Sequence, residues 1–453
     1  MKRWFWAIMA ISLLAAACGN TDNPTTGPQS GSTTGSGGGG AGGAGGAGLQ
    51  ACTSIVKKPY DSALPAGDPC KLPGAEAEGA PQSTPPAMNA PLDPLAKGPY
   101  PIGVTTLKLQ SAGRDILVEV WYPANKSSVG QPTDVYTYPE DAPPGAVDGV
   151  EGACLALSPL PSGAARDAVP ASGGPFPLVI FSHGTTSTRV QSASVTSHLA
   201  THGFVVAAPD HTGDTLLEFF DKKGSQNPLG DPIAALMIAI NRVKDVKAII
   251  DHMSQQATTQ GSCFLGLVDA NNVGVFGHSF GGFTALAASG GMTIGETADP
   301  RIKAVLPVAP GGTSYSKASD DPILSMGGDA DVTTTFNAET KVAYDRSSAP
   351  KHLVKLLGAG HLTVSDMCML QLDKQIQIFM FAPCGVCDIV ANGCPGGTQQ
   401  MLTTRPAMQY FTAAFFLAYL TQGPRRDRAL TLLDPAGPGP SEFPTVWAAA
   451  NVQ

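Results

Sequence analysis

The stretch Val273-Gly274-Val275-Phe276-Gly277-His278-Ser279-Phe280-Gly281-Gly282, continued by Thr284 to Ser289, decides how this chain is read. Val273 to Phe276 is a short apolar run of the kind that forms a fully buried strand. The small residues after Ser279 suit a helix lying close against a sheet. A serine caught between strand and helix sits on a sharp turn with strained backbone angles. Glycines two positions before and two after leave room for the tight packing that such a turn requires. The turn lifts the hydroxyl to the carboxyl end of the strand, and the helix points its first N–H groups to the same place, which favours negative charge. In a chain with 53 glycines, Gly-x-Ser-x-Gly arises by chance about 0.4 times. The flanking strand and helix, not the five residues alone, make Ser279 a candidate nucleophile.

A neutral serine hydroxyl is a weak nucleophile and needs a base, normally a histidine held by a carboxylate. On a turn of this type the chain order is Ser, then Asp or Glu, then His. Of the eight histidines only His352 and His361 follow Ser279. His352 opens the apolar run His352 to Leu357, the wrong end of a strand. His361 lies just beyond that run in Gly358-Ala359-Gly360-His361, where glycines let a loop carry the ring to the serine, so His361 is the predicted base. The acid belongs at the end of an intervening strand, where Ser325-Met326-Gly327-Gly328-Asp329-Ala330-Asp331 offers two carboxylates. Asp331 lies further past the strand and is preferred over Asp329. Two backbone donors are needed for an oxyanion. Phe280 N–H follows the nucleophile, and Thr185 N–H is the choice in the loop Ser182-His183-Gly184-Thr185 after the apolar run Leu178 to Phe181. His183 is read as a structural residue that orients this loop. The chemistry calls for no metal and no cofactor.

Outward from the serine, continuous apolar runs alternate with helical periods, which marks a mostly parallel central sheet with helices on both faces, an α/β fold. Predicted strands are Val104 to Leu109, Ile116 to Trp121, Leu178 to Phe181, Phe204 to Ala208, Val273 to Phe276, Ala304 to Val308, Pro322 to Met326 and His352 to Leu357. Predicted helices cover Val195 to His202, a long one opened by the cap Asp231-Pro232, the one after Ser279, and Met408 to Leu420. Residues 98–435 read as one domain, followed by a tail over 436–453.

Lys2-Arg3 and the apolar run Trp4 to Ala17 read as an export signal, too short for a permanent membrane span. It ends at Leu14-Ala15-Ala16-Ala17-Cys18-Gly19, which is similar to a bacterial lipobox, so Cys18 is the predicted lipidation site. Residues 18–50 are a Gly/Ser/Thr-rich tether and 51–97 a Pro-rich irregular approach. An oxidising compartment turns the other eight cysteines into disulfide candidates whose pairing the sequence leaves open. Cys384-x-x-Cys387 lacks the companion ligands of a zinc site. A net charge of −8 with no basic stripe argues against nucleic acid. A small-molecule or lipid ester, a membrane contact made only through the N-terminal lipid, and a monomer are the expectations.

Taken in order, Phe181-Ser182-His183-Gly184, Ala208-Pro209-Asp210-His211, Gly277 to Gly282 and Gly360-His361 resemble the platelet-activating-factor acetylhydrolase and predicted dienelactone hydrolase group of α/β hydrolases. Pro322 to Asp331 is similar to bacterial cutinases, in which the second Asp is the triad acid. The resemblance spans roughly residues 98–422 and implies an α/β-hydrolase fold and carboxylic-ester hydrolysis. It also has departures. Animal acetylhydrolases carry the acid after the preceding strand, where this chain has Ala309-Pro310. Polyester-cleaving cutinases have a Trp where this chain has Gly311-Gly312, and dienelactone hydrolases use Cys in place of Ser279. Two other readings stand beside an esterase: a surface lipoprotein that binds a ligand without turnover, and a peptidase or acyltransferase of the same fold.

Overall fold

The alternation at the front of the domain forms a hairpin, β1 (Ile102–Ser111) with β2 (Arg114–Pro123). Its two-residue turn, Ala112-Gly113, has both residues left-handed at φ 48° and 74°, the backbone sense that matches the twist of the flanking strands. The structure, a computed structural model, describes residues 50–54, 80–136, 160–216, 231–313, 316–370, 393–395, 397–441 and 446–451, with 218 and 443. The signal segment, Cys18, the tether, and Cys70, Cys154, Cys384 and Cys387 lie outside the described residues.

After two short pieces that pair with each other, β3 (Val135–Tyr136) and β4 (Leu160–Pro161), and the edge bridge β5 (Ala165–Arg166), the parallel part begins. β6 (Phe176–Ser182), α1 (Ala193–Thr201), β7 (Val205–Pro209), α2 (Pro232–Gln256), β8 (Val268–His278), α3 (Phe280–Gly290), β9 (Ile302–Val308) and β10 (Ile323–Gly328) follow in order. α4 (Lys341–Arg346), β11 (Lys351–Leu356), α5 (Gly397–Leu420), α6 (Pro424–Leu433) and β12 (Val446–Asn451) complete the domain. The ten-stranded sheet runs β12-β11-β10-β9-β8-β6-β7-β2-β1-β5. Strands β7, β6, β8, β9, β10 and β11 are mutually parallel.

Period-two alternation sorts the strand side chains onto two cores. Leu178, Ile180, Val205, Ala207, Val273 and Val275 face α2 and α3, where they meet Val243, Val246, Ile250 and Phe283. Val179, Phe181, Val206, Ala208 and Phe276 face the opposite side, with Leu199 of α1 and Phe411, Phe415 and Phe416 of α5. Each interior strand is therefore apolar on both faces, which is why these strands read as unbroken apolar runs. α2 starts where its cap predicts: Asp231 Oδ1 accepts from Ile233 and Ala234 N–H at 2.8 and 3.3 Å, satisfying donors left free at a helix start.

Two segments outside residues 98–435 pack on the domain. The segment set apart as a tail supplies β12, antiparallel to β11 from Lys351↔Asn451 to Leu356↔Val446. A six-residue edge strand with little polar alternation carries almost no periodic signal. In the approach segment, Cys52 is disulfide-bonded to Cys263, and the Gln82 side chain bonds both ways with the Ile102 backbone at 2.7 and 2.8 Å. These residues dock on the domain without regular structure of their own.

Candidate active site

Six parallel strands end on one side of the sheet, and the predicted residues gather there. Ser279, between β8 and α3, has φ 57° and ψ −118°, a backbone region that L-residues rarely occupy. The flanking glycines permit it. A Cβ on Gly277 would collide with the Gly281 carbonyl, and one on Gly281 with the Ser182 carbonyl.

Ser279, His361 and Asp331 form a hydrogen-bonded row. His361 Nε2 lies 3.0 Å from Ser279 Oγ, and His361 Nδ1 lies 2.7 Å from Asp331 Oδ2. The carboxylate fixes the tautomer, because Nδ1–H donates to Asp331 and Nε2 is left to accept from the serine. Burial pushes the Asp331 carboxyl up. The hydrogen bond and charge of His361 and the amides of Thr334 and Thr333 outweigh it, and the net shift is downward. Asp331 Oδ1 accepts those amides at 2.9 and 2.8 Å.

The other carboxylate has a different task. Asp329 Oδ1 accepts from Gly358 N–H at 2.7 Å, and Ala330 N–H donates to the Ala359 carbonyl at 3.1 Å. Asp329 thus holds the loop that delivers His361 and does not touch the ring. Gly358, at φ 76°, starts that loop. Its far side is tied by the Cys368–Cys394 disulfide and by Leu362 N–H donating to the Gly393 carbonyl at 2.7 Å. His352 stays inside β11 with Nε2 2.7 Å from the Tyr419 hydroxyl.

Phe280 directly follows the serine, and the loop that carries Thr185 passes beside it. Phe280 is the first residue of α3, whose leading N–H groups have no partner inside the helix. On the other side, Gly184 comes so near that a Cβ there would stand 3.4 Å from Ser279 Cβ. His183 orients this loop: its Nε2 accepts from His211 N–H at 3.0 Å, so its Nδ1–H donates to the Gly184 carbonyl at 2.6 Å. Burial, Arg242 and His211 hold its pKa well below 6.5, so the ring is neutral.

Four further residues complete the setting, and the sequence reading gave none of them a role. Gln191 Oε1 accepts from Gly184 N–H at 2.8 Å, and its Nε2 donates to His278 Nδ1 at 2.9 Å. His278 Nε2–H then donates to the His361 carbonyl at 2.7 Å. Burial and neighbouring His361 lower the His278 pKa to about 3, keeping it neutral in this role. The oxyanion loop and the histidine loop are thus linked by one chain of hydrogen bonds. The other two, Arg242 and Asp214, form a fully buried ion pair at 2.7 Å beneath the oxyanion loop.

The chain is similar in sequence and fold to known proteins. The family model for platelet-activating factor acetylhydrolase, isoform II, matches residues 89–227, and a PET hydrolase-like model matches residues 163–376. A ferulic acid esterase structure from Streptomyces cinnamoneus superposes with a TM-score of 0.55 over 79% of this chain and 98% of its own, at 23% identity. The chain has the α/β-hydrolase fold. Among its relatives, the platelet-activating factor acetylhydrolase of Cavia porcellus is 24% identical over 231 residues, 43% of this chain and 51% of the relative. Cutinase est2 of Thermobifida alba is 27% identical over 195 residues, 42% of this chain and 55% of the relative. The chain spans about half the length of the curated relatives that it matches, and it is similar to both the acetylhydrolases and the cutinases among them.

Proposed function

We propose that this α/β hydrolase cleaves carboxylic esters through an acyl-enzyme on Ser279. The observation that carries the reading is the row Ser279–His361–Asp331 built on a strained turn, at 3.0 and 2.7 Å. Ser279 Oγ attacks the ester carbonyl carbon while its proton passes to His361 Nε2. The tetrahedral oxyanion is held by the N–H groups of Phe280 and Thr185. When the C–O bond to the alcohol breaks, His361 returns the proton to the leaving oxygen. Water then gives a proton to His361 and attacks the acyl group, and Ser279 leaves with that proton. Asp331 remains ionised, orienting the imidazole and stabilising its charged form. The substrate is a small-molecule or lipid ester.

The N-terminal segment supports export, with Cys18 as the lipid-bearing residue and 19–50 as the tether between membrane and enzyme. Disulfides such as Cys52–Cys263 suit an oxidising compartment outside the cytoplasm. The protein then acts as a monomer, touching the membrane only through its lipid.

Ser279→Ala tests the reading. Turnover of p-nitrophenyl esters should fall by about 10⁶-fold in kcat, with unchanged circular dichroism, and a fluorophosphonate should no longer label the chain. A Ser279→Ala protein that still turned over esters would sink the assignment. A profile of p-nitrophenyl esters against matching peptide anilides tells esterase from peptidase.

A further inference from the structure

Thr185 N–H belongs to the peptide unit that also contains the Gly184 carbonyl. In a planar trans peptide those two groups point in opposite directions. Whatever holds the carbonyl therefore aims the N–H. The carbonyl accepts from His183 Nδ1–H at 2.6 Å within the loop, and Arg242 holds it from outside, from α2, three elements along the chain. Its Nη2 donates to the Gly184 carbonyl at 3.1 Å and its Nη1 to the His183 carbonyl at 2.7 Å. Asp214, held by Arg242 Nη2 at 2.7 Å and Nε at 3.0 Å, accepts from Thr186 N–H at 3.0 Å through its other oxygen. The peptides before and after the Thr185 α-carbon are thus fixed by the two members of one ion pair. Thr186 is held at φ 52°, a left-handed conformation that a β-branched residue adopts only under constraint.

The same guanidinium reaches the second donor. Its carbon lies 4.9 Å from the centre of the Phe280 ring, within cation–π range, and Phe280 carries the other oxyanion N–H. Arg242 and Asp214 are both fully buried. A buried arginine with its donors directed at carbonyls and one carboxylate is costly to maintain for stability alone, since apolar residues of similar volume often do as well.

We infer that Arg242, paired with Asp214, is the positioning residue of the oxyanion hole, aiming Thr185 N–H through the Gly184 carbonyl and seating Phe280 from the same cation. This rests on the ester-hydrolase reading above. Its consequence is specific to charge development: ground-state binding is largely unaffected, and the tetrahedral state loses its donors.

The test compares Arg242→Gln and Arg242→Lys with wild type on a p-nitrophenyl ester, with active sites counted by the end-point of fluorophosphonate labelling. Arg242→Gln should lower kcat per active site by about 10²-fold, the effect of losing or displacing one oxyanion donor, with KM within about threefold. Affinity for a trifluoromethyl ketone, whose serine adduct carries the oxyanion, should fall in parallel. Arg242→Lys keeps a charge that reaches only one carbonyl and should recover about tenfold of the loss. If the glutamine protein does not fold, the lysine protein carries the test, with kcat about tenfold below wild type. A lower melting temperature with kcat per active site and ketone affinity both unchanged would assign Arg242 to stability and overturn the inference. The two readings fail separately, because a wild type that neither turns over esters nor takes up fluorophosphonate at Ser279 sinks the esterase assignment itself.

Discussion

Two Ser–His–Asp rows lie among the described residues of this molecule, with almost the same dimensions. In the first, His361 bridges Ser279 and Asp331 at 3.0 and 2.7 Å. In the second, His211 bridges Ser182 and Asp245 at 2.8 and 2.9 Å. Distances alone do not separate them, but surroundings do. Ser279 sits partly exposed on a strained turn beside helix N–H groups, while Ser182, His211 and Asp245 are all buried. Arg242 Nη1 lies 3.4 Å from Ser182 Oγ, and Arg114 pairs with Asp245 at 2.6 Å. Burial first, then these two cations, hold the His211 pKa well below 6.5. An imidazole beside two guanidinium groups is a poor place to deposit a proton, so His211 cannot serve as a base. The second row is a brace under the oxyanion loop. A triad is therefore recognised by access, by backbone strain and by the absence of competing cations, as well as by its hydrogen bonds.

The largest effect expected from this contrast is on the two carboxylates. Asp331→Asn should cost about 10⁴-fold in kcat with the fold intact, because the amide presents the wrong partner to His361 Nδ1–H. Asp245→Asn should leave kcat per folded molecule within about tenfold. It should instead lower unfolding free energy by about 3 kcal/mol, since Arg114 loses its buried partner. Parallel kinetics and urea denaturation check both. Equal loss of kcat in the two variants would erase the distinction.

The first row was legible in the sequence because each member sits where topology and chain order demand it. Ser279 follows a strand, Asp331 follows another, and only one later histidine lies at the correct end of the sheet. The strands were legible because apolar runs in a two-faced parallel sheet leave no other reading. Edge strand β12 lacked that signal. The supporting residues were hidden for another reason. Arg242 and Asp245 fall on the same stripe of α2 as Val243, Val246 and Ile249, so two charges on an apolar face were the available clue. Their partners lie 28 to 134 positions away, however, and periodicity reports a face without naming what it meets. Gln191 and His278, 87 residues apart, carried no pattern at all.

The contrast also predicts a response to pH. His183, His211 and His278 all have folded pKa values pushed below 6.5 by burial, whereas unfolded they titrate near 6.5. Between pH 6.5 and the folded values the unfolded chain binds more protons. Their contribution to stability is therefore complete above pH 6.5 and is lost as pH falls below it, towards about 3 for His278. All three act with the same sign, and Asp245, raised to about 6 by burial, opposes them once pH falls past that value. Urea denaturation at pH 7, 6 and 5 should show the slope, and His278→Asn should flatten it by about one proton. A slope that His278→Asn leaves unchanged would mean that His278 is not neutral as described.

Ser182→Ala has the smallest expected effect and makes the sharpest comparison. Truncation leaves His211 Nε2 buried without its donor, at a cost of about 1–3 kcal/mol in stability. Fluorophosphonate should label wild type and Ser182→Ala at one site per chain, located by peptide mass at Ser279 in both, and should leave Ser279→Ala unlabelled even though the Ser182 row is intact. Label found on Ser182 in any of the three proteins would show that hydrogen-bonded distances suffice to activate a serine. Its absence would show that the turn at Ser279, which supplies access and helix N–H groups together, is what separates a nucleophile from a structural hydroxyl.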